Sequence, residues 1–338
     1  MKKVLLALTV IFGLTLLVTS CGGGGGGSDN DDVASTPSGN DNGELASIPS
    51  DSANAQEDFV AVQSGTVTGG INGSEVFIDG RTIVLHVKWA SDHEVTQGEY
   101  ETYCTYSGNS PSAMEGLGDE YPVYNVSWYD ALVYCNKRSI GEGLEPCYTI
   151  DGKTDPDEWG DVPTSIDATW DAVICSFSAN GYRLPTEAEW EYLARGGNLT
   201  NSGQTEYSGS NTASDVAWYN NVSSGQTCEV MTKAPNALGL YDMSGNVWEW
   251  CWDRYGDIGV STPSTGVITG SGRVIRGGCC SSSAGCCTIA YRFGSSYDEH
   301  GHTFSIPPYW HYAGFYSLYP EAIRHDDILG FRVVRSAR

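Results

Sequence analysis

The pattern of apolar and polar positions divides the chain into three stretches. Lys2 and Lys3 precede the apolar run Val4 to Val18, which ends in small residues at Val18-Thr19-Ser20-Cys21. This run is short for a membrane helix and sits at the N-terminus, so residues 1–20 are expected to be a signal peptide. The tetrapeptide has the shape of a lipobox, which makes Cys21 the expected lipidation site, with several acyl chains giving a stable anchor. Gly22 follows, so no acidic inner-membrane retention signal is visible. Residues 21–56 are mainly Gly, Ser, Asn and Asp without apolar periodicity, a flexible tether that cannot bury a core. Residues 57–338 form the third stretch, long enough for one large domain.

Within the third stretch the pattern alternates between short strands and short helices. Val76-Phe77-Ile78 and Thr82 to Trp89 are β-rich runs joined by Asp79-Gly80, which predicts a hairpin. Thr96 followed by Glu99 has capping-box spacing and predicts a helix to about Tyr106. Ser127 is expected to cap a second helix through Trp128, Ala131, Leu132 and Cys135. Thr186 and Glu189 make another box ahead of Trp190, Tyr192 and Leu193, with Gly196-Gly197 as the stop. Long loops rich in glycine and aromatics separate these helices. The expected fold class is therefore α+β with few short helices and much irregular loop, and with Trp and Tyr filling the core.

The formal net charge of -24 argues against nucleic acid as a partner and favours a soluble monomer. Residues 272–338 hold seven Arg against five Asp plus Glu, so the excess acid lies upstream. Of eleven cysteines, lipid at Cys21 would use one and leave ten. Export would permit disulfides, but their pairing is open.

Six blocks carry a resemblance: Glu94 to Tyr100, Pro122 to Trp128, Gly181 to Tyr192, Asn236 to Trp250, Arg276-Gly277-Gly278 and Gly330-Phe331-Arg332. In this order they resemble the sulfatase-modifying-factor family, whose fold is a decorated C-type-lectin fold, over about Gln63 to Arg338. The resemblance implies a copper-binding cysteine pair four and nine residues after the Gly-Gly. Cys287 matches the second position, but Ser282 stands at the first, and a hydroxyl is a poor ligand for a soft metal. No catalytic residue and no catalytic cofactor are therefore expected. The resemblance also implies a structural calcium site at Asp242, Gly245, Val247 and Glu249, where carboxylates and carbonyls suit a hard cation.

The segment 279–328 departs from the rest in composition. It contains no Lys, Gln, Met or Asn, yet it holds four of the six histidines, four of the eleven cysteines and ten aromatic residues. Nearly all of its residues are reachable from codons ending in a pyrimidine, the imprint expected when adenines of AAC-type codons are randomised. In this it resembles the variable lipoproteins of diversity-generating retroelements. Arg276-Gly277-Gly278, Ala284, Cys287, Ala290 and Arg292 keep scaffold spacing. The expected ligand-binding residues are Cys280, Ser282, Gly285, Cys286, Tyr291, Phe293, Tyr297, His300, His302, Phe304, Tyr309, Trp310, His311, Tyr312, Phe315 and Tyr316. Tyrosine offers a large contact area at small entropic cost, while serine and glycine adapt.

The function expected from the sequence is ligand binding, by a lipoprotein held at the outer membrane or cell surface by its lipid alone. The expected ligand is macromolecular, a protein or a cell-surface component. Two alternatives stand beside it: a copper-dependent formylglycine-generating oxidase or related non-haem-iron enzyme, and a structural envelope lipoprotein.

Overall fold

The computed structural model describes residues 58–270, 272–294 and 328–336. The expected signal peptide, Cys21 and the tether lie outside them. Among the described residues no helix is long and apolar enough to cross a membrane.

Two four-stranded sheets organise the fold. The first runs β1 (Phe59–Ala61), β4 (Val87–Ser91), β12 (Val334–Ser336), β7 (Tyr182–Arg183), with every pairing antiparallel. The second runs β10 (Phe293–Gly294), β9 (Arg273–Arg276), β8 (Trp248–Arg254), β11 (Leu329–Gly330). Here β11 lies parallel to β8 and the other pairs are antiparallel. Two small ladders, β2 (Gly65–Thr68) with β3 (Thr82–Leu85) and β5 (Tyr148–Thr149) with β6 (Ile174–Cys175), sit outside the sheets. The short strands and long loops match the expected α+β architecture.

The helices follow the capping chemistry. α1 (Gln97–Tyr103) starts at Thr96, whose hydroxyl accepts from the Glu99 amide while the Glu99 carboxylate accepts from the Thr96 amide. It stops short of Tyr106. The chain turns extended at Cys104, and the Tyr106 ring folds back to 5.1 Å from Tyr100. α2 (Trp128–Gly141) begins at Ser127 with Asp130 completing its box. α3 (Ala168–Asp171), α5 (Ala213–Val216) and α6 (Asn220–Ser223) are single turns. α4 (Glu187–Ala194) has the expected Thr186–Glu189 box, and Gly196 and Gly197 follow it at φ +64° and +76°.

The expected hairpin is corrected. Residues 76–78 form no strand, and the partner of β3 is β2. The Ser74 hydroxyl accepts from the amides of Val76 and Phe77, and the Phe77 carbonyl accepts from Gly70 and Ile71. Those bonds hold Val76 and Phe77 buried in a loop, so an apolar run meets the core without a ladder.

Aromatic packing fills the interior, as the composition implied. Tyr134 stacks on Tyr100 at 5.7 Å and meets Phe331 edge-on at 5.3 Å. Three of the buried indoles find acceptors across the fold: Trp190 on Glu249, Trp250 on the Val126 carbonyl and Trp128 on the Cys251 carbonyl. Satisfying these N–H groups removes the desolvation cost of burying tryptophan.

Candidate functional site

The 279–328 segment leaves the scaffold at Gly277-Gly278. Both glycines have positive φ, +93° and +75°. A Cβ on Gly278 would lie 2.6 Å from the Cys287 sulfur, so only glycine allows the chain to turn here. The Gly277 carbonyl accepts from the Gly245 amide, tying the turn to the loop before β8.

Residues 279–287 then form a small self-tied knot. The Cys279 amide donates to the Ser282 hydroxyl at 3.0 Å, and the Ser282 amide donates back to the Cys279 carbonyl. The Cys280 amide donates to the Asn246 carbonyl, and its own carbonyl accepts from the Ser223 hydroxyl at 2.6 Å. The Cys287 carbonyl accepts from the Ser244 hydroxyl. Cys280, Ser282 and Cys286 therefore point inward and are buried, which corrects their expected role as contact residues. Ser281, Ser283 and Gly285 face solvent in between. Of these only Gly285 was expected; the in-out alternation of the knot, not composition, selects the two serines.

Tyr291 and Phe293 are half-buried, each against the Trp248 indole at 6.1 and 5.9 Å between ring centroids. The remaining expected contact residues, Tyr297, His300, His302, Phe304, Tyr309, Trp310, His311, Tyr312, Phe315 and Tyr316, lie outside the described residues.

Three arginines hold the segment to the core. Arg276, just before it, bonds Glu191 at 2.7 Å. Arg292, fourteen residues past Gly278, grips Glu187 at 2.6 and 2.8 Å. Arg332, beyond its far end, grips Glu249 at 2.7 to 2.9 Å. Arg276 and Arg292 thus reach the same buried helix, α4, whose remaining glutamate, Glu189, pairs with Arg183 at 2.6 Å. A half-apolar helix with three buried carboxylates is stable only because each meets a guanidinium.

The family's two copper positions do not fit a thiolate pair. The Ser282 hydroxyl is 3.2 Å from the Cys279 sulfur, and the Cys287 thiol donates to the Ser283 carbonyl. Burial pushes the Cys287 thiol well above the usual range, so it resists becoming a ligand. Cys279 behaves oppositely. The neighbouring Cys280 thiol lowers it to about 6 against the effect of burial, with the hydroxyls of Ser281 and Ser282 adding to the shift. Among the described residues no group of three or more His, Cys, Asp or Glu is placed to hold a metal ion.

The expected calcium residues fit in part. Asp242, in the left-handed region at φ +55°, accepts from the Met231 amide through one oxygen. Its other oxygen, Oδ1, is buried without a partner. Burial raises Asp242 to about 6, and burial beside Asp242 and Glu249 raises Glu94 well above its usual value. An orphaned acceptor among reluctant carboxylates is what a hard cation would relieve. Glu249 is corrected as a side-chain ligand, because Arg332 and the Trp190 indole occupy both its oxygens. Of the expected set, Asp242 through its unpartnered oxygen and the carbonyls of Gly245 and Val247 are the residues that would hold a cation.

Residues 45–337 match the model of the sulfatase-modifying factor enzyme 1-like domain, and the chain belongs to that family. The fold is therefore the formylglycine-generating-enzyme type of C-type-lectin fold. Among solved structures, Treponema denticola variable protein 1 is similar at 33% identity and a TM-score of 0.64, over 82% of this chain and 95% of that one. Chaperone protein LppX of Paenibacillus barcinonensis is 37% identical over 70% of this chain and 82% of its own length. The formylglycine-generating enzyme of Streptomyces coelicolor is 32% identical over 40% of this chain. The match spans 48% of that enzyme's length.

Proposed function

We propose that this chain is a lipid-anchored surface protein that binds macromolecules, with no catalytic activity of its own. Its contact patch is built from segment 279–328 and diversified by retroelement mutagenesis. The observation that carries this reading is the division of labour between the segment and the residues that anchor it. Glycines and arginines at Gly277, Gly278, Arg276, Arg292 and Arg332 are committed to the core, while the composition between them is skewed to residues that binding loops favour. The likeness to Treponema denticola variable protein 1 supports it.

Cys21 carries the lipid in this reading, and Asp242 with the carbonyls of Gly245 and Val247 holds a structural calcium. The deciding experiment is sequencing the 3′ end of the gene, with its flanking DNA, across many isolates. The expected result is substitution confined to scattered codons of 279–328, with an adenine-rich near-copy and a reverse-transcriptase gene alongside. An invariant segment without a template copy would overturn diversification.

A further inference from the structure

One loop outside the segment is bonded to its first residues, and another is bonded to that loop. The loop around residues 112–120 and the loop 220–231 are stitched together. The Gln226 side chain donates to the Met114 carbonyl, the Thr227 amide and hydroxyl both donate to the Glu115 carbonyl, and the Val230 amide donates to the Glu120 carbonyl. The second loop is in turn bonded to the segment. The Asn220 amide donates to the Ser282 carbonyl, the Ser223 hydroxyl donates to the Cys280 carbonyl, and the Cys280 thiol donates to the Gly225 carbonyl at 3.4 Å. Loop 112–120, loop 220–231 and the exposed Ser281, Ser283 and Gly285 therefore belong to neighbouring strips of one hydrogen-bonded surface.

That surface is unusually apolar for its position. Eleven large apolar side chains are exposed among the described residues, and four fall in these two loops: Met114 at 83%, Leu117 at 55%, Met231 at 40% and Val222 at 36%. Scattered exposed apolar residues need no explanation, but a cluster on loops tied to one another does. Two of the four are methionines, whose unbranched thioether repacks against differing partners.

Formal charge along the two loops themselves has one sign. Between residues 107 and 121 and between 219 and 232 there are four carboxylates, Glu115, Asp119, Glu120 and Glu229, and no Lys or Arg. The next cation, Lys233, is committed elsewhere, donating to the Ser214 carbonyl and lying 4.1 Å over the Trp218 ring. Beside Met231 a cavity of about 410 Å3 opens, lined also by Asp58, Glu99, Asp119, Glu120 and by His93, whose imidazole is engaged by Asp92 and Glu99. Of these, Glu99 is already bonded to Arg138 at 2.9 Å, whereas Asp58, Asp119 and Glu120 form no ion pair with a described residue. An apolar strip edged by carboxylates and ending in a cavity where four acids outnumber one imidazole repels an anionic membrane. It complements a protein surface with an apolar centre and lysine or arginine at its edge.

We infer that loops 112–120 and 220–231 are the constant half of the binding face, and that they dock a protein segment carrying apolar side chains flanked by lysine or arginine. The inference deepens the binding reading above. It assigns the invariant share of affinity to Met114, Leu117, Met231 and Val222, and it leaves selectivity to the segment alongside. A basic side chain of the partner enters the cavity between Asp119 and Glu120, where the Met231 thioether packs on its methylene stem.

The test pans a random dodecapeptide library displayed on filamentous phage against the full chain, then measures synthetic copies of the enriched peptides by fluorescence anisotropy. The expected peptides pair apolar residues with Lys or Arg. Their binding falls about tenfold or more on joint replacement Met114→Ser, Leu117→Ser and Met231→Ser, a loss of the size expected when interface anchors are removed. Asp119→Asn with Glu120→Gln weakens binding further at low salt than at high salt. The thermal midpoint stays unchanged in both variants, because all these side chains are exposed. The inference is overturned if the enriched peptides are acidic, if they bind the triple-serine variant as well as the parent, or if none is enriched over an uncoated surface. The two readings fail separately. An invariant segment among isolates with these peptide results intact removes diversification alone, and a varying segment with peptides indifferent to the serine variant removes the constant face alone.

Discussion

Two groups of buried carboxylates lie on either side of Trp190 and differ in how they are neutralised. On α4, Glu187, Glu189 and Glu191 face Arg292, Arg183, Arg276 and Arg195, so guanidiniums match carboxylates on every side. Near β8, Glu94, Asp242 and Glu249 share one guanidinium, Arg332, with His93 acting on Asp242 through space. Glu189 is accordingly held below its usual range against burial by Arg183, whereas Glu94 and Asp242 are pushed up. The first group is closed on its own charge and has the character of a structural clamp. The second has more carboxylates than cations, and the raised Glu94 and Asp242 reflect it. The lesson is that similar carboxylate density means different things depending on the arginines that accompany it.

The comparison breaks most visibly at its arginines. Replacing Arg332 or Arg183 by Ala strands a buried carboxylate and should cost about 3–5 kcal/mol in urea unfolding. A loss below about 1 kcal/mol for Arg276→Ala, which strands Glu191, would mean that the α4 clamp is not what holds the segment's base. Next in size, Gly278→Ala forces a Cβ against the Cys287 sulfur at positive φ and should destabilise by about 2 kcal/mol or more, measured the same way.

The surplus-charge group gives a ligand test. Adding calcium should raise the thermal midpoint of the parent and leave Asp242→Asn unmoved, whereas the α4 clamp predicts no calcium response from Glu191→Gln beyond that of the parent. Equal calcium shifts in parent and Asp242→Asn would remove Asp242 as a ligand.

A smaller effect concerns pH. Burial opposes charge on His93, but hydrogen bonds to Asp92 and Glu99 more than offset it and raise the group to about 9. A histidine raised in the folded state stabilises fully below its unfolded value near 6.5, and that contribution is lost as pH rises through about 9. Glu99 is lowered to about 2 despite burial, chiefly by His93 and Arg138, so its contribution is lost only as pH falls from about 4.5 through 2. Urea midpoints followed from pH 6 to 10 should decline in the parent and decline less in His93→Gln. Parallel curves would show that the His93 charge is not coupled to folding. The smallest effect belongs to the rim: Ser281→Tyr and Ser283→Tyr should move stability by no more than about 0.5 kcal/mol.

Much of this was legible in the chain, for local reasons. The boxes at Thr96–Glu99 and Thr186–Glu189 act within four residues, and both helices begin where the sequence says. The family blocks carried the fold because they contain the clamp residues themselves, Arg183, Glu187, Glu189, Glu191, Glu249, Arg276 and Arg332. What escaped was non-local. Nothing near Val76-Phe77-Ile78 announces that Ser74 will hold those amides in a loop. Cys280 and Ser282 share the segment's unusual composition, yet hydrogen bonds to Asn246, Ser223 and Cys279 turn them inward. Composition marks a stretch; only contacts across the fold divide it into facing and buried positions.

The position of β12 has a genetic consequence. This strand follows the segment in the chain, yet it lies in the middle of the first sheet, bonded to β4 on one side and β7 on the other. A central strand cannot be supplied late or left out. A frameshift or premature stop arising anywhere in codons 279–328 removes β11, β12 and Arg332 together, so the product cannot close its sheet. The architecture therefore acts as a filter on its own gene: only sequences that keep the reading frame through the segment yield a protein able to close its sheet.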